Sequence, residues 1–312
     1  MHDSSEAWGL IDLFFLIFLG LIIGANDTAN CIAPAVESRT ISLRYGTVLV
    51  AFFIVLGAFL EGSKMSSALK IVEAINPLVV FLALFSALIP ASLATLKRYP
   101  ISTSQTIMGG LVGSSFVLGT AIKWGFLSII IATWFITPLV TAVFSYLLCY
   151  FLNRIIIKLT FVEWDHIFRW LLVLSGAYLG YSLGANTVGL LGEISTSSGN
   201  LSNVLAGTST GIGALFFSFG VLKTVGGDIV NLDPFTAVVV QFSSAFIVHV
   251  FTQVGIPISL TQAVVGSVLG IGLLKGIGTI NLQTTYRVFG WWALTPGISA
   301  ILGMFFSILF MS

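Results

Sequence analysis

Charged residues are scarce in this chain: Asp, Glu, Lys and Arg together make up 8% of its 312 residues. A soluble domain carries roughly 25%, so a globular protein with a fully hydrated surface is excluded. Hydrophobic residues make up 57%, and the mean hydropathy is +1.06. These values predict a polytopic protein embedded in a lipid bilayer. With a net charge of only +1, no nucleic-acid partner is expected.

Cysteines, histidines and catalytic patterns are sparse as well. Cys31 and Cys149 both lie in apolar runs and do not make a disulfide framework. The three histidines have no metal-ligand spacing, and the sequence has no nucleophile, paired-carboxylate or zinc pattern. An intramembrane enzyme is therefore disfavoured. We expect a protein that is not an enzyme and that has no cofactor apart from a coupling ion.

Apolar stretches long enough to cross a bilayer occur about five times in each half of the chain. The most polar segment, Asn153 to Arg169, lies between the halves. We therefore expect a first transmembrane repeat over 1–152, a cytoplasmic linker over 153–169 and a second transmembrane repeat over 170–312. The stretches lie near 10–35, 46–62, 75–96, 101–122 and 124–152, and near 168–194, 200–222, 235–253, 257–275 and 287–311.

The distribution of basic residues predicts the orientation. Ten of the 13 Lys and Arg fall in odd-numbered connections and three in even-numbered ones. Because basic loops stay in the cytoplasm, we expect a multi-pass protein of the plasma membrane with both termini outside. The ten are Arg39, Arg44, Lys97, Arg98, Arg154, Lys158, Arg169, Lys223, Lys275 and Arg287, and the three are Lys64, Lys70 and Lys123.

Several short motifs of the first half recur in the second at offsets of 157 to 160 residues. Such a repeat, with an odd number of crossings per copy, inverts the second copy relative to the first, as in many secondary transporters. The predicted fold is an all-α polytopic membrane protein with two inverted repeats of about five segments each, including broken or re-entrant helices. The matching motifs are Gly24-Ala25-Asn26 with Gly184-Ala185-Asn186, Pro100-Ile101-Ser102 with Pro257-Ile258-Ser259, Gln105 with Gln262, and Trp134 and Thr137-Pro138 with Trp292 and Thr295-Pro296.

One motif places a carboxylate and two amides in an apolar stretch. Asn26, Asp27 and Asn30 lie within about one helical turn, and Gly24 is expected to let the backbone open so that carbonyls join them. An ionised side chain at bilayer depth costs roughly 2.5 to 3.5 kcal/mol and needs a partner. Oxygen ligands of this kind suit a hard cation such as sodium. The alternative is an Asp paired with a basic residue of another helix or satisfied by backbone amides.

A second pair of motifs opens two glycine-rich apolar helices. Pro near the first turn, with Ser or Thr as the N-cap, is typical of a helix start. A helix that starts inside the membrane presents free N–H groups, the positive end of its dipole and hydroxyls, which together suit an anion without arginine. Ordinary capping at the membrane surface is the alternative. The predicted anion ligands are Ser102, Thr103, Ser104, Gln105, Ser259, Thr261 and Gln262.

Together these motifs resemble the inorganic phosphate transporter family, the PiT-type sodium/phosphate symporters. The resemblance rests on Gly24-Ala25-Asn26-Asp27-Thr28-Ala29-Asn30 and on the doubled Pro-Ile-Ser and Trp-x-x-Thr-Pro segments, and it runs from about residue 20 to 300. It implies an inverted-repeat transporter that holds phosphate near the midplane by the Ser/Thr/Gln helix starts. Sodium, the coupling ion, would bind beside it at Asn26, Asp27 and Asn30.

The chain departs from the family pattern in the second copy. The family has Asp in both copies, whereas here Thr187 follows Asn186 and Leu190 stands where the first copy has Asn30. Asn186, Thr187 and backbone carbonyls would then be the only ligands of a second cation site. Glu193 is expected at the membrane interface, with a substitute carboxylate as the alternative.

The expected function is cation-coupled uptake of inorganic phosphate by alternating access, with Na+ as the cation. The partners are then phosphate, sodium and the lipid bilayer, and a homodimer is an open possibility. The alternatives are a permease for sulfate or another oxyanion of the same fold, proton coupling, and a passive anion channel. Outside the motifs, Glu61, Lys64, Lys70 and Glu73 are expected to form a solvated patch, and His249 to be a satisfied core residue.

Overall fold

The computed structural model describes residues 2–73, 76–156, 161–195, 200–226 and 229–312 and, outside 2–8, 155–156, 161–165 and 223–226, their side chains. The first half contains α1 (His2–Glu37), α2 (Leu43–Glu61) with a 3-10 segment (Gly62–Ile71), α3 (Pro77–Leu96), α4 (Thr103–Val117) and α5 (Trp124–Ile156). The second contains α6 (Phe161–Leu183), a π-helical turn (Gly184–Val188), α7 (Gly189–Ile194), α8 (Asn200–Phe217), α9 (Phe219–Gly226), α10 (Pro234–Gln253), α11 (Leu260–Lys275), a 3-10 turn (Ile277–Thr279) and α12 (Leu282–Met311).

The all-helical membrane fold is confirmed. Six helical segments in the described part are long and apolar enough to cross a membrane. By contrast, α4 and α11 have 15 and 16 residues, or about 22 to 24 Å at 1.5 Å per residue. Because a bilayer core is about 30 Å thick, these two are short helices that begin inside the protein, as the predicted broken or re-entrant helices do.

The predicted linker is largely helical where the structure describes it. Residues 153–156 end α5 and residues 161–169 begin α6. Residues 157–160, which include Lys158, lie outside the described residues. The cytoplasmic position of this segment and the domain boundaries stay predictions.

Close glycine contacts show that α1 and α8 run in the same direction. A Cβ on Gly20 would lie 3.3 Å from the carbonyl oxygen of Ala206, and a Cβ on Gly24 would lie 2.0 Å from that of Thr210. Residue numbers thus increase together along the two helices. Gly24 is required for this approach and does not open the backbone, because α1 is continuous through it. The expected opening at Gly24 is wrong, and the irregular turn lies instead at Gly184–Val188 of the second copy.

The same contacts occur between α2 and α6, and they establish the inversion. Gly180 packs on Val50, and a Cβ on Gly184 would lie 2.1 Å from the carbonyl oxygen of Ile54, so these helices are also parallel. Five residues connect α1 to α2, as in an antiparallel helical hairpin. Because α6 runs with α2 and against α1, its counterpart, the second repeat is inverted relative to the first.

The two short helices pack against the long last helix of the opposite repeat. A Cβ on Gly109 of α4 would lie 2.3 Å from the carbonyl oxygen of Pro296 in α12. In the same way, a Cβ on Gly266 of α11 would lie 2.4 Å from the carbonyl oxygen of Pro138 in α5. Small residues of this kind allow helix backbones to approach closely in a membrane. The repeats are therefore interlocked, with α4 and α11 near the centre.

Candidate functional site

The starts of α4 and α11 meet inside the protein. The hydroxyl of Ser104 donates to the carbonyl oxygen of Ile258 at 3.1 Å, and the hydroxyl of Thr261 donates to the carbonyl oxygen of Ile101 at 2.8 Å. Each helix start thus holds the backbone that leads into the other. All seven predicted anion ligands are buried. The alternative of ordinary capping at the membrane surface therefore does not describe the starts of α4 and α11.

Both helices begin with the predicted serine cap. Ser102 Oγ accepts the N–H of Gln105 at 3.4 Å, and Ser259 Oγ accepts the N–H of Gln262 at 3.2 Å. The Oε1 atoms of both glutamines are buried without a hydrogen-bond partner among the described residues. An unpaired buried acceptor is costly, and a ligand that carries a proton would satisfy it. A protonated phosphate can donate such a hydrogen bond, whereas sulfate has no proton to donate.

Asn26 anchors the loop that precedes α4. Its Nδ2 donates to the hydroxyl of Thr95 and to the carbonyl oxygen of Tyr99, both at 3.0 Å. Its Oδ1 accepts the backbone N–H of Ile101 at 3.1 Å. These three bonds connect α1 to the end of α3 and to the start of α4.

Asn186 makes the same three bonds in the second repeat. Its Nδ2 donates to the hydroxyl of Thr252 at 3.0 Å and to the carbonyl oxygen of Ile256 at 3.2 Å, and its Oδ1 accepts the N–H of Ile258 at 3.1 Å. The doubled Gly-Ala-Asn motif therefore positions the two helix starts. Both amide N–H groups are used in each copy, so only a second lone pair on each Oδ1 stays open. That Asn26 and Asn186 bind a cation stays a prediction.

Asp27 lies beside the junction of the two helix starts. It is 2% exposed and accepts a hydrogen bond from the hydroxyl of Thr103. The hydroxyl oxygen of Thr261 lies 3.3 Å from its Oδ1 atom. Among the described residues Asp27 has no basic partner and no backbone donor, so the alternative of a salt-bridged or amide-bound Asp does not describe this site. Thr103 and Thr261, which are predicted to bind the anion, thus also contact Asp27.

The oxygens around Asp27 suit a cation. A hydroxyl has one proton to donate. The hydroxyl of Thr261 lies closer to the carbonyl oxygen of Ile101, at 2.8 Å, than to Asp27 Oδ1, at 3.3 Å, so its proton points to Ile101. Asn30 Nδ2 donates to the same hydroxyl at 2.9 Å, while Asn30 Oδ1 is buried without a partner among the described residues. Two acceptor oxygens 3.3 Å apart repel each other, and a cation that coordinates both of them from one side removes this repulsion. The Asp27 and Asn30 side chains with the Thr261 hydroxyl supply the hard oxygens that sodium prefers.

The second repeat lacks this arrangement. Thr187 is fully buried, and its hydroxyl has no partner among the described residues. Glu193, the alternative carboxylate, is half-buried and accepts a hydrogen bond from Asn203 Nδ2 at 2.8 Å. The carboxylate is thus held by α8.

Sequence reasoning missed the loop anchors Thr95 and Thr252. They are 157 residues apart, the same offset as the predicted helix starts, so the repeat itself carried a signal for them. Glu61 and Lys64, expected in a solvated patch, are 20% and 37% exposed and belong to a cluster that joins the end of α2 and the 3-10 segment to α10. Glu61 Oε2 accepts from Gln253 at 2.9 Å and lies 3.3 Å from His249 Nε2. Lys70 and Glu73, in contrast, are exposed as predicted.

The fold and the site together define a membrane transporter of the inverted-repeat class. Residues 23–165 and 160–303 match the model of the phosphate transporter family. A protein of Methanocaldococcus jannaschii, provisionally named a phosphate permease, is 30% identical over 298 residues, which cover 94% of each chain. The chain belongs to the phosphate transporter family, and the family predicted from its motifs is confirmed.

Other relatives agree with this assignment. A protein of Pyrococcus furiosus, also provisionally named a phosphate permease, is 24% identical and covers 97% of this chain and 96% of its own. A solved structure titled the sodium-dependent phosphate transporter matches with a TM-score of 0.85 over 98% of this chain and 99% of that one. Its sequence identity of 21% makes this a likeness of fold.

Proposed function

We propose that this protein is a secondary active transporter that carries inorganic phosphate into the cell together with sodium ions. The observation that carries the proposal is the junction itself: two hydroxyl-rich helix starts meet beside one buried carboxylate without a basic partner among the described residues. The helix starts suit an oxyanion. The carboxylate suits the coupling cation, and the protein is not an enzyme.

The shared threonines supply a reason for coupling. Without a cation, the charge of Asp27 repels an incoming anion; two unit charges at 4 Å interact by about 4 kcal/mol at an effective dielectric of 20. A sodium ion on Asp27 removes this repulsion and adds attraction to the anion. Sodium therefore binds first and phosphate second. A fixed negative charge beside an uncoupled anion path would only hinder a passive channel.

The interlocked inverted repeats support alternating access as the proposed mechanism. The junction of α4 and α11 lies between the halves, and each short helix packs on α5 or α12 of the opposite repeat through glycine. Rocking of one repeat against the other around this junction would expose the ligands to either side in turn. The plasma membrane is the proposed location, with both termini outside, and a homodimer stays a prediction.

The test is uptake of labelled phosphate by purified protein in proteoliposomes. An inward sodium gradient should drive accumulation above the equilibrium level, and a potassium gradient of the same size should not. Unlabelled phosphate should compete, and sulfate should compete far less because it cannot donate a hydrogen bond to Gln105 or Gln262. Uptake that equilibrates without a gradient would indicate a channel. Accumulation driven by a proton gradient alone would replace sodium by protons, and stronger competition by sulfate would change the substrate.

A further inference from the structure

Each residue around Asp27 has a counterpart around Thr187 by the symmetry of the two repeats. The hydrogen bonds of Asn26 and Asn186 fix how the two repeats align, because both side chains make the same three contacts. The serine caps, Ser102 and Ser259, fix the alignment of the two helix starts. In this alignment Thr187 corresponds to Asp27, Leu190 to Asn30, Leu260 to Thr103 and Ser104 to Thr261.

At three of these four positions the second repeat lacks the group that surrounds the proposed cation site of the first. The missing groups are the carboxylate of Asp27, the amide of Asn30 and the hydroxyl of Thr103. Thr187 offers a neutral hydroxyl, and Leu190 and Leu260 offer only methyl groups. All three side chains are buried, with no more than 1% exposed. Taking an ion out of water costs several kcal/mol, and among the described residues no carboxylate is bonded to Thr187 to offset that cost. In the first repeat the corresponding groups lie together: Thr103 donates to Asp27, and Asn30 donates to the Thr261 hydroxyl beside Asp27.

Nearby carboxylates do not restore the site. Glu193 follows Thr187 by six residues, which places it about 240° around a helix axis at 100° per residue, and it is bonded to Asn203. Glu61 is bonded to Gln253 and paired with Lys64 and His249. Both acids thus already have partners of their own, and the hydroxyl of Thr187 has no hydrogen-bond partner among the described residues.

We infer that the second repeat holds no cation and that one sodium ion accompanies each phosphate ion through the protein. This inference rests on the proposed function. The symmetric architecture positions two anion-binding helix starts through Asn26 and Asn186, but only the first retains a charged cation site. Both repeats therefore contribute to the single anion site, whereas only the first contributes a cation site.

The experiment is a measurement of two fluxes on the same proteoliposomes. Labelled sodium and labelled phosphate are followed at initial rates under an inward sodium gradient, with the membrane potential clamped by potassium and valinomycin. We expect a sodium-to-phosphate ratio of one and a hyperbolic dependence of uptake on sodium. The balance point, at which opposed sodium and phosphate gradients give no net flux, supplies the same ratio independently.

A restored second site provides the matched variant. Thr187→Asp, Leu190→Asn and Leu260→Thr are combined in one protein, so that the second repeat receives the side chains of the first. This variant should show a sigmoidal sodium dependence and a ratio of two. The control combines Leu190→Val with Leu260→Val, which changes packing without adding oxygen and should keep the ratio of one.

The outcomes separate this inference from the proposed function. A wild-type ratio of two, or a sigmoidal sodium dependence of the wild type, would overturn the inference alone. A complete lack of sodium-driven phosphate uptake would overturn the proposed function and the inference with it. If the triple variant does not fold, the wild-type ratio and balance point still decide the question.

Discussion

The hydroxyl oxygen of Thr261 lies 3.3 Å from a carboxylate oxygen of Asp27, although 234 residues separate them along the chain. Thr261 belongs to the start of α11, where the anion is proposed to bind. Asp27 belongs to α1 and to the proposed cation site. One contact thus joins the two repeats and the two proposed ligands, so a change of charge at Asp27 acts directly on the anion site.

The exchange Asp27→Asn should abolish phosphate uptake driven by a sodium gradient while leaving folded protein. The amide keeps the size of the side chain and removes the charge that holds the cation. Uptake in proteoliposomes and elution on gel filtration measure the two effects. Asp233→Asn is the control, because it makes the same chemical change at the exposed start of α10 and should retain uptake. Wild-type sodium dependence in Asp27→Asn would show that the cation binds elsewhere.

The exchange Asn186→Ala should raise the KM for phosphate and leave the half-saturating sodium concentration unchanged. The variant leaves the N–H of Ile258, the carbonyl of Ile256 and the hydroxyl of Thr252 without their partner. An unmade buried bond costs about 1 to 3 kcal/mol, so KM should rise about tenfold or more. Asn281→Ala, at the start of α12, should leave both constants alone. A selective loss of sodium affinity would instead make Asn186 a cation ligand.

The exchange Ser259→Ala should weaken phosphate binding. It removes the hydroxyl that caps the N–H of Gln262 and one polar group of the proposed anion site. A hydrogen bond is worth about 0.5 to 1.5 kcal/mol, which corresponds to a rise in KM of up to about tenfold. Ser42→Ala removes a serine cap of the same kind at the start of α2 and serves as the control. Equal KM values in Ser259→Ala and wild type would place the anion away from this helix start.

The exchange Gly109→Ala should destabilise the protein. The added Cβ would lie 2.3 Å from the carbonyl oxygen of Pro296, so α4 and α12 must separate. Overpacking of this kind costs about 1 to 3 kcal/mol. Thermal unfolding in detergent measures the loss. Gly297→Ala is the control, because no atom lies within 4 Å of a Cβ added there; equal melting temperatures of the two variants would contradict the close contact.

The ion pair of Asp233 and Lys275 should make stability depend on pH. Burial raises the pKa of Asp233, but its hydrogen bonds with Lys275 and Thr236 outweigh burial and leave the pKa below the usual 3.8. Because the folded pKa is the lower one, the stabilisation is present above the unfolded-state pKa and is lost as the pH falls through the folded value. Both side chains are partly exposed, so the pair contributes about 1 kcal/mol or less.

The matching measurement compares the melting temperatures of wild type and Asp233→Asn from neutral to acidic pH. Asn remains a good helix cap, so only the charge is lost. Wild type should be more stable at neutral pH, and the difference should vanish in acid. A constant difference at all pH values would show that the charge of Asp233 has no part in it.

The buried carboxylate of Asp27 and the two helix starts could be predicted from the sequence because each is a local pattern. Asp27 is conspicuous in an apolar run, and the serine cap and proline lie within a few residues of each other. The repeat offset then related the two helix starts without any knowledge of distance. The same offset also showed which groups the second repeat lacks, because Thr187 and Leu190 stand where the first repeat has Asp27 and Asn30.

Other roles depend on contacts that no local pattern contains. The bonds of Asn26 reach residues 69 to 75 positions away, and Gln253 reaches Glu61 over 192 positions. A side-chain amide in a polar motif can bind an ion or a backbone, and only the neighbours decide which. This is why the sequence suggested only a cation ligand at Asn26 and Asn186, whereas the structure shows that both also anchor the loops before α4 and α11.

By itself, the sequence determined the membrane environment, the two inverted copies and the scarcity of buried charge, because hydrophobicity and repetition are properties of the chain alone. The tertiary structure decided which hydroxyls face which oxygens. Thr103 and Thr261 stand in motifs that suit an anion, yet folding places both beside Asp27. The physical reason is the interlocking of the repeats: glycines let α4 and α11 pack closely on α12 and α5 of the opposite halves, so the proposed cation and anion sites meet at one junction.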